Sequence, residues 1–154
     1  MSKTTAKSVA NWIVEYCNEH GDLVSNLKLQ KLIYYAQAWY LALYNEPLFN
    51  ERLEAWVHGP VQPTLYRTFK KFGYKPITEC TKSTLDEKHK FHVLEVLKAY
   101  GRLQAFELEQ LVHSEQPWIA ARGKLAPDAN GNGLIRHEDM QSFYKAKIRA
   151  KARS

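Results

Sequence analysis

The sequence predicts a mainly α fold, a single compact domain of about six helices with a small two-stranded β ribbon. Three observations carry this. Apolar residues recur at helical spacing through most of the 154 residues. Gly, Pro and Asn-rich punctuation cuts the chain into segments of helical length. Neither an internal repeat nor a low-complexity linker divides it.

The first helix follows a cap at Thr4 or Thr5, with Val9, Trp12, Ile13 and Tyr16 on one face and Gly21 as its left-handed terminator. The second, "SNLKLQKLIYYAQAWYLALYNEP", is capped by Ser25 or Asn26 and stopped before Pro47. Leu29, Leu32, Ile33, Ala36, Tyr40 and Leu43 form one stripe, which Tyr35, Trp39 and Ala42 widen. A helix apolar on most sides is buried, so this is the expected centre of the fold.

Beyond it, Gly59-Pro60 reads as a turn and Pro63 as the first turn of a short helix ending at Gly73. The flanking pieces "EAWVH" (54–58) and "KPITEC" (75–80) are the predicted ribbon. A helix after Ser83 or Thr84 carries Val93, Val96, Leu97 and Tyr100, with Gly101 at its end. Another holds Ala105, Leu108, Leu111 and Val112 before Pro117 interrupts. "APDANGNG" is a loop, and residues 138 to about 151 form a last, basic helix. The division is a body of 1–144 and a basic helix or tail of 145–154.

The net charge of +6 belongs to that tail. Its ten residues hold five Lys or Arg and no acid, which leaves 17 basic against 16 acidic residues, or +1, for the rest. A charged tail admits nucleic acid as a partner through backbone phosphates. It lacks the interleaved aromatic array of single-strand binders, so a solvated helix end is the competing explanation. Cys17 and Cys80 match neither a disulfide framework nor a zinc spacing. No apolar run is long enough for a bilayer, and "MSKTTAKSVANW" lacks a secretory apolar core, so a cytoplasmic protein is expected.

"LVHSEQPW" sets His113, Ser114 and Glu115 in a row. These are the side chains of a hydrolytic trio, but neighbours on a helix point about 100° apart and do not converge. A helix end running into a Pro-started turn explains them as well. A hydrolase would need His58, His113 and Glu115 brought together by the fold. For His58, beside Gly59 and Trp56, the competing expectation is a buried, hydrogen-bonded imidazole. "DANGNGLIRHED" offers Asp128, Asn130 and Asn132 at calcium-loop positions but ends in Asp139 where a bidentate Glu belongs. An Asn/Gly turn explains it, so neither metal nor cofactor is expected.

"LKLQKLIYYAQAWYLALYNEPLF" (27–49), "EAWVHGPVQPTLYRTFKKFG" (54–73) and "LVHSEQPW" (111–118), in that order and spacing, resemble the Panacea antitoxin domain, the family of SocA-like and GepA-like phage-associated proteins. The resemblance spans roughly residues 5 to 145. It implies a helical, non-enzymatic module of bacterial and prophage toxin–antitoxin pairs that neutralises a neighbouring toxin by direct binding. At least one relative is an adaptor delivering its toxin to a protease, which adds a protease to the partners implied. The recurrent family positions here are Lys28, Leu29, Gln30, Lys31, Leu32 and Tyr35, then Trp56, Gly59, Pro60 and Val61, then His113, Glu115, Pro117 and Trp118. Where the family commonly has Thr before the histidine, this chain has Val112, which removes a polar contact. Recurrence alongside diverse toxins implies that these residues hold the scaffold. For the toxin-facing surface, the expected anchors are whichever of Tyr34, Tyr44, Tyr66, Phe69, Tyr74 and Tyr144 are exposed. Lys145, Lys147 and Arg149 are expected to steer an acidic toxin face.

Overall fold

A computed structural model of the chain describes residues 4–153. The first three residues of the amino-terminal stretch and Ser154 of the basic tail lie outside the described residues. Helix α1 (Ala6–Glu19) starts at Thr5, whose side chain accepts the Ser8 amide. It ends through His20 into Gly21, at φ +68°. Helix α2 (Asn26–Tyr44) is capped by Ser25 and closed by Asn45 in the left-handed region. Fourteen of its nineteen residues are buried, as its near-continuous apolar surface requires.

The remaining elements gather round α2. Helices α3 (Pro63–Phe69), α4 (Glu87–Tyr100), α5 (Ala105–His113) and α7 (His137–Arg153) all pack against it, α7 most extensively. Helix α6 (Gln116–Arg122) bridges α5 and α7. There are thus seven α-helices among the described residues, one more than expected. Pro117 does not merely interrupt a helix; it sits in the first turn of a new one, where its missing N–H costs nothing. Helix α4 begins after Ser83 and Thr84 as expected, with Asp86 as its cap.

Buried amides on α2 hold neighbouring backbone. Gln37 donates to the Phe49 carbonyl at 2.7 Å and accepts from the Leu48 amide at 2.7 Å, fixing the chain after the helix. Gln30 accepts the Gln62 amide at 2.9 Å, which anchors the start of α3. Each meets an otherwise unpaired backbone group, which burial makes obligatory.

The ribbon is real, but its partners differ from the expected ones. Strand β1 (Glu54–Trp56) pairs antiparallel with β2 (Gly59–Val61) and, on its other side, with β3 (Gly133–Leu134). Residues 75–80 are irregular. Ile77 donates to the Val24 carbonyl and Thr81 to the side chain of Asn11, so this segment lies along α1. Val57-His58 is the hairpin turn, and Gly59-Pro60 opens β2. Pro60 fits there because β2 is an edge strand. No helix among the described residues is long and apolar enough to cross a membrane.

Candidate functional site

The residues of "HSE" part company in three dimensions. Glu115, at the start of α6, turns into the core, where only 3% of the residue is exposed. Its carboxylate accepts the Tyr35 hydroxyl at 2.7 Å and the Tyr144 hydroxyl at 2.8 Å. Tyr34 in turn donates to Tyr144 at 3.0 Å, and Lys147 lies 3.7 Å from the second carboxylate oxygen. Tyr35 stacks on Tyr100 at 3.9 Å, and Trp39 donates to the Tyr100 hydroxyl at 2.7 Å. Burial, with the nearby Glu115 charge, pushes the Tyr35 phenol far above its ordinary range, and burial carries Tyr100 up to about 12. Tyr35 is thus a fixed donor to Glu115, while the Tyr100 hydroxyl serves as the acceptor for Trp39.

Ser114 folds back to its own helix, donating to the Leu111 carbonyl at 2.6 Å. His113 stacks on Trp118 at 4.0 Å, and Trp118 donates to the Trp56 carbonyl at 3.0 Å. The His113 Nε2 has no hydrogen-bond partner among the described residues, and burial holds the imidazole below its ordinary pKa. His58 is exposed, contrary to the expected buried imidazole, because it occupies the tip of the hairpin turn. Its Nδ1 lies 3.5 Å from Glu109. The carboxylate near both histidines is therefore Glu109, not Glu115. Helical spacing (Glu109 stands four residues before His113) was the available signal for it.

Lys31 closes this corner. The residue is 1% exposed, its ammonium donates to the Leu27 carbonyl at 3.3 Å, and burial pulls its pKa down to about 8, partly opposed by Glu109. Gly59, at φ +124°, lies over its stem. A Cβ there would come within 3.2 Å of Lys31 Cε and 3.5 Å of Val112 Cγ1. Gly59, Lys31 and Val112 thus form one close-packed contact.

The family model described as "Antitoxin SocA-like, Panacea domain" matches residues 29–119, from α2 through most of α6. Antitoxin SocA of Caulobacter vibrioides (strain NA1000 / CB15N) is 35% identical over 133 residues, covering 77% of this chain and 71% of that protein. The chain belongs to the SocA-like Panacea family. No solved structure matches it.

In this Panacea domain the matched segment contains Glu115 and Tyr35, while Tyr144 and Lys147 come from α7, beyond its end. Other motif residues also face inward. Lys28 donates to the Gly101 carbonyl at 2.5 Å, tying α2 to the end of α4. Leu29 and Leu32 are core, Pro60 and Val61 form β2, and Pro117 is buried in α6. Arg122, which the sequence reading missed, is buried against Trp118. It donates to the carbonyls of Ala55, Ala126 and Ala129.

Those bonds determine the shape of the calcium-like loop. Asp128, Asn130 and Asn132 are exposed, and Asp139 lies in the first turn of α7. Carbonyls of the loop turn inward to Arg122. Among the described residues no group of three or more His, Cys, Asp or Glu is arranged to hold a metal.

Of the expected anchors, Tyr34, Phe69 and Tyr144 are core residues and present no surface. Their rings belong to the stripes that α2, α3 and α7 bury. Tyr44 and Tyr66 are half-buried and Tyr74 is 91% exposed. In the tail, Lys145 hydrogen-bonds Asn45 and Lys147 pairs with Glu115, while Arg149 is exposed. Helix α7 runs without a break through the 144/145 boundary.

Proposed function

We propose that this domain is a non-enzymatic cytoplasmic antitoxin that neutralises a cognate toxin protein, encoded nearby, by binding it directly. The observation that carries the reading is the fate of Glu115. Its carboxylate is occupied by two tyrosine hydroxyls inside the core and is not presented to a substrate. The polar motif holds α2, α6 and α7 together, which leaves the exterior for recognition. Membership in a SocA-like family supports the same role. A preformed helical surface occludes or distorts the toxin over an interface of about 1,600 Å².

The test is co-expression with the product of the adjacent reading frame, scoring growth rescue and co-purification together. Both are expected. Rescue without a complex, abolished by His58→Ala or His113→Ala in a folded chain, would overturn the reading in favour of an enzyme. Rescue that needs a host protease would add an adaptor step to binding. Binding of nucleic acid that disappears on truncation at Tyr144, with no toxin bound, would overturn it in favour of the basic tail.

A further inference from the structure

Charge in this chain is segregated more sharply than the tail alone indicates. Between Gln62 and Thr78 stand Arg67, Lys70, Lys71 and Lys75, with no acid. Removing these four and the five of the tail leaves 13 basic against 16 acidic residues, so the remainder of the molecule is −3. All four cations are exposed, and they lie on α3, on the 3₁₀ turn Lys70–Phe72 that continues it, and just beyond. The guanidinium of Arg67 and the ammonium of Lys70 have no side-chain partner among the described residues, unlike Lys145 and Lys147 of the tail.

Aromatic rings border the same face. Trp56 and Tyr66 meet edge to face at 5.0 Å, each half-buried and so held in place. Beside them is a depression of about 470 Å³ lined by Arg52, Glu54, Trp56, Thr64, Arg67 and Asn132. On the opposite flank of α3 a groove of about 620 Å³ includes Lys71 and Phe72. Nearby acids are already engaged. Glu54 binds Arg52 and the Trp56 indole, Glu51 accepts the Ala6 amide, and Glu79 lies 3.9 Å from Lys71.

We propose that the face of α3 and its 3₁₀ extension, with Trp56 and Tyr66 at its edge, receives the toxin, and that the toxin's contacting surface is acidic. The proposal rests on the antitoxin reading above. Trp, Tyr and Arg are the residues on which protein interfaces concentrate their binding energy, and rings already fixed lose little freedom on binding. The surrounding cations, with the nearby Glu54 already paired to Arg52 and with Arg67 and Lys70 lacking an acid partner among the described residues, supply steering toward negative charge. Nucleic acid fits less well. A strand needs open ring faces and an unbroken cationic track, whereas here the rings are edge-packed and the Glu54 carboxylate accepts from the Trp56 indole beside them.

The test uses the full chain and the adjacent gene product as probe, with circular dichroism and melting to report folding. Arg67→Glu/Lys70→Glu is expected to slow association by about tenfold or more and to flatten its salt dependence. Trp56→Ala is expected to raise Kd about thirtyfold, chiefly through faster dissociation. Arg149→Glu should leave association at the wild-type rate. If wild type binds and Arg67→Glu/Lys70→Glu binds equally fast, this surface is wrong while the antitoxin reading stands. Slowing by Arg149→Glu alone reassigns steering to the tail and overturns the proposal. Failure of the wild type to bind sinks both. Salt-steep binding of a labelled oligonucleotide, lost in Arg67→Glu/Lys70→Glu, assigns the face to nucleic acid instead.

Discussion

The Tyr144 hydroxyl donates to the Glu115 carboxylate at 2.8 Å in the interior of the protein, joining the last helix to the turn between α5 and α6. Tyr35 donates to the same oxygen from α2. One buried carboxylate therefore secures three elements, and its charge is tolerated because hydroxyl donors and Lys147 surround it.

Replacing Glu115 with Ala strands two buried hydroxyls, and the expected loss is about 2–5 kcal/mol. Tyr144→Phe removes one donor and is expected to cost about 1–2 kcal/mol. Urea unfolding measures both. A Glu115→Ala variant as stable as wild type would show that the carboxylate does not hold the helices.

The unfolded Lys31 side chain keeps its proton up to about pH 10.5, whereas the folded one gives it up near pH 8. Below pH 8 both states carry the charge, and the folded state bears the whole burial penalty. Between pH 8 and 10.5 the unfolded state binds more protons, so this residue makes stability rise with pH. Cys17 acts in the opposite sense, since burial raises its thiol from 9.0 to about 11. Comparison with Lys31→Met isolates the lysine. The variant is expected to be more stable at pH 7 by about 1–3 kcal/mol, and that advantage should shrink from pH 8 to 10.5. A difference that does not vary with pH would rule the mechanism out.

Gly59→Ala places a methyl group against Lys31 and Val112 at a left-handed φ. The expected cost is about 1–3 kcal/mol. Gly73→Ala is the control, since its φ of +59° is also positive but nothing lies within 4 Å of its Cβ. Melting temperatures should fall further for Gly59→Ala. Equal shifts would show that the contact with Lys31 has no cost.

The contrast between α2 and the corner at Glu115 shows what a linear pattern encodes. α2 was legible because its apolar residues cover most of the helix, with Ser25 before it and Pro47 beyond its end, all local signals. The Glu115 network was not, because Tyr35 lies 80 residues away and Tyr144 lies 29. Nothing nearby distinguishes a carboxylate that turns inward from one that caps a helix in water. β1 was recognised as a strand, but its second partner is a two-residue strand at Gly133–Leu134, too short to carry an alternation. Arg122 passed unnoticed for a related reason. An arginine near a helix end ordinarily faces solvent, and only the loop that returns over it supplies carbonyls to bury it.

The basic helix end separates into structural and free charge, and the two predict different outcomes for neighbouring substitutions. Lys147 lies 3.7 Å from a carboxylate whose side chain is 4% exposed, although the lysine itself is 46% exposed. Solvent therefore weakens the pair, and Lys147→Met is expected to cost about 0.5–1.5 kcal/mol. Arg149, exposed on the same helix, should change stability by no more than about 0.5 kcal/mol when replaced by Ala. A triple Ala variant at Lys145, Lys147 and Arg149 thus carries a stability loss that a test of tail steering has to separate out. Any change in its association rate has to be compared with Lys147→Met alone. Urea unfolding of the single variants decides the matter: equal effects at Lys147 and Arg149 would mean that the ion pair to Glu115 contributes nothing to the fold.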